Sequence, residues 1–259
     1  MTATFVKRSS MQPITSRQAL RLGFWLWILG MPGVVSLVWM IPPTWLGALA
    51  LESSDSLARV VVAAAMGLLL ALAVWLGVML GSKVGLGTPL LTAAMQGRTP
   101  WRGIRFLSLP GVAGGVLGAA WLVTLAVLWP ESLALIDPIY NLPWLPKILY
   151  GGITGELLMR FGTLSLVMWL LWKAFGDGKN LPGWKLGWLA VILSAMLDGA
   201  IPVYFAGTFS QSMTLATLLP LAVCEVVYGL LAGVLFWRYG LESAMLAHVL
   251  TYVLSHGLI

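Results

Sequence analysis

Ionisable side chains are scarce in this chain, and six of them fall inside otherwise apolar stretches: Glu156, Arg160, Asp198, Glu225, His248 and His256. In hydrocarbon each is costly unless it is paired with another group or wet, so each is a functional candidate by default. Glu156 and Arg160 are four residues apart with the acid first, the favourable order for an ion pair on one helix face. That spacing fits a structural pin between helices as well as a reactive site. His248, alone in an apolar stretch, is readable as a catalytic group. His248 is equally readable as a hydrogen-bonded packing residue. Glu225 has no basic neighbour in sequence, so it is either a second reactive carboxyl group or an interhelical hydrogen bonder. Glu156, Asp198, Glu225 and His248 could also act as a proton relay.

Metal chemistry fits less well. Zinc needs three protein ligands in fixed geometry, whereas the spans offer one mid-membrane histidine plus carboxylates and no HExxH spacing. No metal site is assigned, no cofactor is expected, and a divalent metal is a subordinate reading. Cys224 is the only cysteine, which rules out an internal disulfide and any Cys-based zinc motif. Neither a Gly-rich phosphate loop nor a nucleophile elbow with a downstream triad is present.

The elements that must hold these residues follow from composition. Of the 259 residues 59% are apolar and only 9% charged, against about 25% charged in a soluble domain. A water-soluble surface is excluded, and the apolar residues gather in runs of about 20, enough to cross a ~30 Å hydrocarbon core. The chain therefore reads as an all-α, polytopic transmembrane bundle. Seven spans are expected, near 22–41, 57–81, 106–129, 148–173, 184–207, 215–237 and 241–258. The fifth either ends at Pro202 or continues through Val203, Tyr204 and Phe205. Counting 1.5 Å per residue from the outer helix ends places Glu156 about 12 Å deep, and Glu225 and His248 about 15 Å deep. Three helices thus bring polar groups to one level, which Asp198 joins only if its helix passes Pro202.

Twelve of the fifteen basic residues fall on one side of this arrangement: Lys7, Arg8, Arg17 and Arg21 before the first span, then Lys83, Arg98, Arg102 and Arg105, then Lys173, Lys179 and Lys185, and finally Arg238. Basic residues concentrate on the cytoplasmic side, so the N-terminus is expected inside and the C-terminus outside. Glu52, Asp55, Glu131 and Asp137 fall opposite, with Arg59 and Lys147 as edge exceptions. The net charge of +6 reads as orientation signal and attraction to anionic lipid, since no basic cluster is interleaved with base-reading residues. The bilayer, but not nucleic acid, is the expected partner. The first span lacks a cleavage pattern and reads as an uncleaved anchor; the setting is an integral, multi-pass protein of a bacterial-type plasma membrane.

Three regions are expected: a basic cytoplasmic segment over 1–21, a three-span region over 22–147 and a four-span core over 148–259. Gly111, Gly114, Gly115 and Gly118, and again Gly151 and Gly155, form small-xxx-small pairs that let helix backbones approach. Trp25, Trp39, Trp45, Trp101, Trp129, Trp144, Trp184 and Trp237 lie near span ends and read as interfacial anchors. Val84 to Gln96 could form a short amphipathic helix on the inner face.

Two segments carry a family resemblance. Gly155-Glu156-Leu157-Leu158-Met159-Arg160-Phe161-Gly162 resembles the first motif of the CPBP family, the CAAX-protease and bacteriocin-processing (Abi-like) intramembrane proteases: two glutamates, three apolar residues and an arginine. The run from Leu230 through Trp237-Arg238-Tyr239-Gly240-Leu241-Glu242 to His248 looks like the family's helix, basic turn and histidine helix. The resemblance covers about residues 148–256. It implies a membrane endopeptidase in which a glutamate activates water while two histidines and an asparagine position it or stabilise the oxyanion. Carried over, Glu156 takes the second glutamate, Arg160 the arginine and His248 the last histidine. Gly155 stands in place of the first glutamate, Ala200 or Asp198 in place of the middle histidine, and Tyr252 in place of the asparagine.

These departures fall on the chemistry, and loss of one member of a catalytic unit removes most of its advantage. The expectation is a divergent CPBP-like protein with weak or no proteolysis of hydrophobic or lipidated peptides. Any rescue would use Glu156 as base, His248 as donor, Tyr252 for the asparagine, and Asp198 or Glu225 as the second polar group. The alternatives are a non-catalytic scaffold or regulator that binds a partner peptide, helix or membrane protein in the protease-like cavity, and a small proton-coupled transporter. The last is disfavoured by the lack of inverted repeats or paired broken helices.

Overall fold

The computed structural model describes residues 15–41, 54–98, 101–129, 143–177, 179–209 and 215–256, without the side chains of 101–103, 202, 205–209, 215–217 and 256. Every regular element among them is helical. In chain order they are α1 (Ser16–Met40), α2 (Asp55–Val84), α3 (Pro89–Met95), α4 (Trp101–Leu128), α5 (Trp144–Phe175), α6 (Trp184–Phe209), α7 (Leu215–Tyr239) and α8 (Leu241–His256). Six of these are long and apolar enough to cross a membrane: α1, α2, α4, α5, α6 and α7. The protein is an integral membrane protein. The seventh expected span, α8, has 16 residues, about 24 Å at 1.5 Å per residue, short of a ~30 Å hydrocarbon core.

Local signals account for the element boundaries. Thr15 and Gln18 form a reciprocal cap at the start of α1: Gln18 N donates to Thr15 Oγ1 at 3.3 Å and Thr15 N to Gln18 Oε1 at 3.0 Å. Pro202 does not end the helix, because α6 runs on to Phe209, and the stretch of it long and apolar enough to span a membrane is Trp184–Ile201. Helices tolerate proline in a bundle where neighbouring groups re-satisfy the freed carbonyls. Gly240, at φ +105°, divides α7 from α8 in a conformation that disfavours any side chain, and a Cβ there would strike the ring of Pro89.

Arg59, an exception to the charge asymmetry, is explained by packing. Its guanidinium donates to the carbonyls of Val38, Trp39 and Ile41 at 2.6, 3.0 and 3.0 Å, closing the C-terminal end of α1, and pairs with Asp55 at 3.6 Å. A cation at the carbonyl end of a helix also suits the helix dipole.

The longest helix, α5, lies at the centre. Over Ile148–Gly155 and Leu157–Leu164 its turns are widened to i→i+5 geometry, a form that is rare beyond a single turn and gathers at functional sites. Thr154 Oγ1 donates five residues back to the Leu149 carbonyl at 3.2 Å, and across to Gly30 of α1 at 2.6 Å. Leu157, Phe161, Leu164 and Met168 of α5 are buried against Leu26, Val34, Leu70 and Val74 of α1 and α2 and against Phe236 of α7. Contacts therefore cross between the 22–147 and 148–259 regions throughout.

α8 packs along the glycine face of α4. A Cβ on Gly115 would come within 2.5 Å of Leu250 Cβ, and one on Gly118 would collide with Thr251, which is the close approach that small residues permit. Gly151 makes room for the Tyr252 ring in the same way, whereas Gly155 meets only its own helix. Trp25, Trp39, Trp129, Trp144 and Trp184 are exposed, as anchors should be. Trp237 corrects the expectation: it is buried in the core, edge-on to Trp188 and beneath the Arg238 guanidinium at 4.0 Å. A Cβ on Gly187 would meet its ring, so a glycine on α6 creates its slot. Trp45 lies outside the described residues and the side chain of Trp101 is likewise undescribed.

The helix expected over Val84 to Gln96 is shorter than expected: α3 covers Pro89–Met95, and Val84, Leu86 and Thr88 before it are buried. Glu242, in the first turn of α8, holds it: Oε1 accepts from Leu90 N at 2.9 Å and Leu91 N at 3.0 Å. The backbone of Leu241 adds a bond to Gly87 O at 3.1 Å. Glu242→Ala leaves two amides without their acceptor, and each unsatisfied buried group costs about 1–3 kcal/mol. Trypsin cleavage after Lys83 and Arg98 should accelerate at least tenfold in the variant, and an unchanged digestion rate would show that Glu242 does not hold α3.

Candidate functional site

Four of the intramembrane ionisable residues form a connected chain across three helices. From α5, Glu156 and Arg160 project toward the interior; α6 supplies Asp198 and α8 supplies His248. His248 Nδ1 lies 2.7 Å from Glu156 Oε1, Arg160 Nε 3.5 Å from Glu156 Oε2, and Arg160 Nη2 3.1 Å from Asp198 Oδ2. Three of them are buried, Glu156 at 0% exposed, Arg160 at 5% and Asp198 at 6%, while His248 is half-buried. An ionised carboxylate only accepts hydrogen bonds, so the Nδ1–H of His248 donates to Glu156. A neutral ring then carries its acceptor lone pair on Nε2, at the opposite edge.

Local sequence explains the placement. Glu156 is the junction between the two widened stretches of α5. Gly229 of α7 leaves the space that the Asp198 carboxylate fills, since a Cβ there would lie 2.7 Å from Asp198 Oδ2. Between the two positions matched to the family's middle histidine, Asp198 is buried beside Arg160 while Ala200 is exposed. Glu156 Oε2 and both Asp198 oxygens make no hydrogen bond among the described residues. Their compensation is the charge of Arg160, which must serve both.

Glu225 comes from α7. With Tyr228, His248, Thr251 and Tyr252 it lines a cavity of about 30 Å³ between α4, α7 and α8. His248 is thus the hinge of the arrangement, with Glu156 on one edge and the cavity on the other. Tyr228 packs on its ring with centroids 4.3 Å apart, and Tyr252 stacks at 5.0 Å and 28°. Tyr252 is near His248, as the asparagine position implied, but through its ring face; its hydroxyl end lies against Gly151. Asp198 is on the far side of Arg160 and does not line the cavity. The side chain of His256 lies outside the described set.

Sequence reading passed over Tyr228, Thr251 and Gly229. The usable signal was position: Tyr228 is three residues and Gly229 four after Glu225, on the same helix face. Among the described residues no three His, Cys, Asp or Glu side chains converge as metal ligands.

Arg160→Met removes the one positive charge between Glu156 and Asp198. Breaking a buried pair from one side costs about 3–5 kcal/mol, so reversible unfolding in mixed micelles should lose stability in that range. A loss below 1 kcal/mol, within the range of an exposed pair, would show that the guanidinium does not compensate the two carboxylates. No family model, curated protein or solved structure matches the chain, so its function is read from this polar cluster.

Proposed function

We propose that the chain is a CPBP-like membrane scaffold or regulator that engages a hydrophobic helix of another membrane protein and does not turn over peptides. The enclosure of Glu156 carries this reading. A general base must reach the proton it abstracts, directly or through one water. Here one carboxylate oxygen is occupied by His248, the other faces Arg160, and neither is exposed. Glu156 orients an imidazole and neutralises a guanidinium, which is the work of a helix pin. The cavity beside His248, about 30 Å³, is about a tenth the size of a small ligand pocket. It takes neither a peptide nor a helix, so partner contacts fall on the lipid-facing exterior.

The relay reading has less support. Asp198, Arg160, Glu156 and His248 are joined by ion pairs with the guanidinium between the two carboxylates, and a guanidinium, which does not give up its proton in a protein, interrupts a relay.

The scaffold has its N-terminus in the cytoplasm of a bacterial-type cell, on the distribution of basic residues. α8 is its seventh membrane segment, packed on α4 so that its short length is covered by protein. Two measurements test the reading. Purified protein in liposomes should release no product from a panel of lipidated and hydrophobic peptides; cleavage that disappears in His248→Ala would overturn it. Photo-crosslinkers placed on the exterior in cells, at Trp39, Leu68 and Val116, should give a discrete protein adduct from at least one position. Adducts with lipid alone at all three would count against a scaffold.

A further inference from the structure

The lipid-facing exterior is not uniform, and one stretch of it is concave. A groove of about 650 Å³ runs along α1 from Ile28 to Met40, with Pro32, Val35, Ser36 and Trp39 in its wall. Its lining positions recur three and four residues apart, which is one face of one helix over three turns. Ile28, Pro32, Val35, Trp39 and Met40 are exposed, so this face stands uncovered among the described residues. Side chains of a second helix seat in grooves of this periodicity. The cavity beside His248, at about 30 Å³, admits no more than a water-sized particle.

Two hydrogen-bond acceptors distinguish this face from one that only meets lipid. Pro32 has no N–H, so the carbonyl of Ile28, four residues earlier on the same face, lacks its usual helix donor. Ser36 has given its hydroxyl hydrogen to Gly33 O at 2.9 Å and keeps its lone pairs. On the inward face of α1 a neighbouring helix already supplies a donor of the kind required: Thr154 Oγ1 of α5 donates to Gly30 O at 2.6 Å. Ile28 is the midpoint of the helix Ser16–Met40, about 18 Å from either end at 1.5 Å per residue. Acyl chains carry no donor, and headgroups stay outside the ~30 Å hydrocarbon core. A side chain of another helix can bring a donor to that depth.

We infer that this groove is where the partner docks, and that the partner is a single transmembrane helix of another protein, apolar over three turns, with a Ser, Thr, Asn or Gln side chain at its middle that donates to the Ile28 carbonyl. The inference rests on the scaffold reading and gives it an address. Met31 and Met40 border the acceptors with flexible thioether side chains that conform to a neighbour. Ser36, one turn beyond Pro32 on the same face, offers a second acceptor to the same helix.

Photo-crosslinkers in the full chain in cells test it, placed at Val35 in the groove and at Val116 of α4 and Met196 of α6, which are exposed on other faces. Val35 should give a discrete adduct with another membrane protein, and the other two positions none. Sequencing of the crosslinked peptide should place the adduct in a transmembrane helix within a turn or so of a Ser, Thr, Asn or Gln. Pro32→Ala restores the N–H that closes the Ile28 carbonyl and favours the helix, so the variant should fold and yet lower the adduct yield about threefold or more. Should it fold poorly, Ser36→Ala, which deletes the second acceptor, decides in the same way. Protein adducts from Val116 or Met196 but not from Val35 would overturn the groove and leave the scaffold reading standing; lipid adducts alone at all three positions would overturn both. An adduct with a second copy, a crosslink within the chain, or a yield unchanged in Pro32→Ala would overturn the inference as well.

Discussion

The arrangement depends on the enclosure of one carboxylate, Glu156, between an imidazole and a guanidinium in the middle of a helical bundle. Burying a charge in such surroundings is affordable only when partners are close and fixed. Here the partners arrive on separate elements: Arg160 from the same helix, His248 at 2.7 Å from α8, and Asp198 on the far side of Arg160 at 3.1 Å. Satisfying the charge therefore requires α5, α6 and α8 to take one relative position. Hydrophobic burial has no such directionality among lipid-facing helices, because the tails are as apolar as the side chains.

Packing provides the approach that this chemistry needs. Glycines open the contacts at the places where polar or aromatic groups must enter: Gly229 for Asp198, Gly151 for Tyr252, and Gly118 for Thr251 and Tyr228. The widened turns of α5 bracket Glu156 itself. Further out, Arg59 closes the end of α1 and Glu242 anchors α3 to the start of α8. Charged groups at the periphery thus tie backbone ends together, while those in the interior tie helices together.

Much of this was legible from residue types. The scarcity of charge identified a membrane protein, and an acid four residues before an arginine marked the pair on α5. Among the described residues, apolar run lengths located seven of the helices, some of them starting about four to six residues before the expected point, and the segment at Val84 to Gln96 contains the shorter α3. What escaped was information that only packing carries. Hydropathy cannot tell a 16-residue helix covered by α4 from one that spans lipid alone. Trp237 sits at the end of a run like the anchors, yet Gly187 on another helix admits it to the core. Pro202 is a breaker in isolation and an ordinary residue inside α6. The match of His248 with Glu156, 92 residues apart, was foreseeable as two groups at one depth but not as a direct bond. For the same reason Glu156, a plausible base by motif, proves to be the most enclosed member of the cluster.

The central claim is that compensation of charge, rather than hydrogen bonding or shape, holds these helices together. It is tested most directly by comparing the unfolding free energy of the triple variant Glu156→Gln, Arg160→Met, Asp198→Asn with that of each single variant. Removing all the charges leaves nothing uncompensated, so the triple variant should be more stable than Arg160→Met alone and clearly short of the sum of the three losses. If the three losses simply add, the cluster does not act as one electrostatic unit and the account is contradicted.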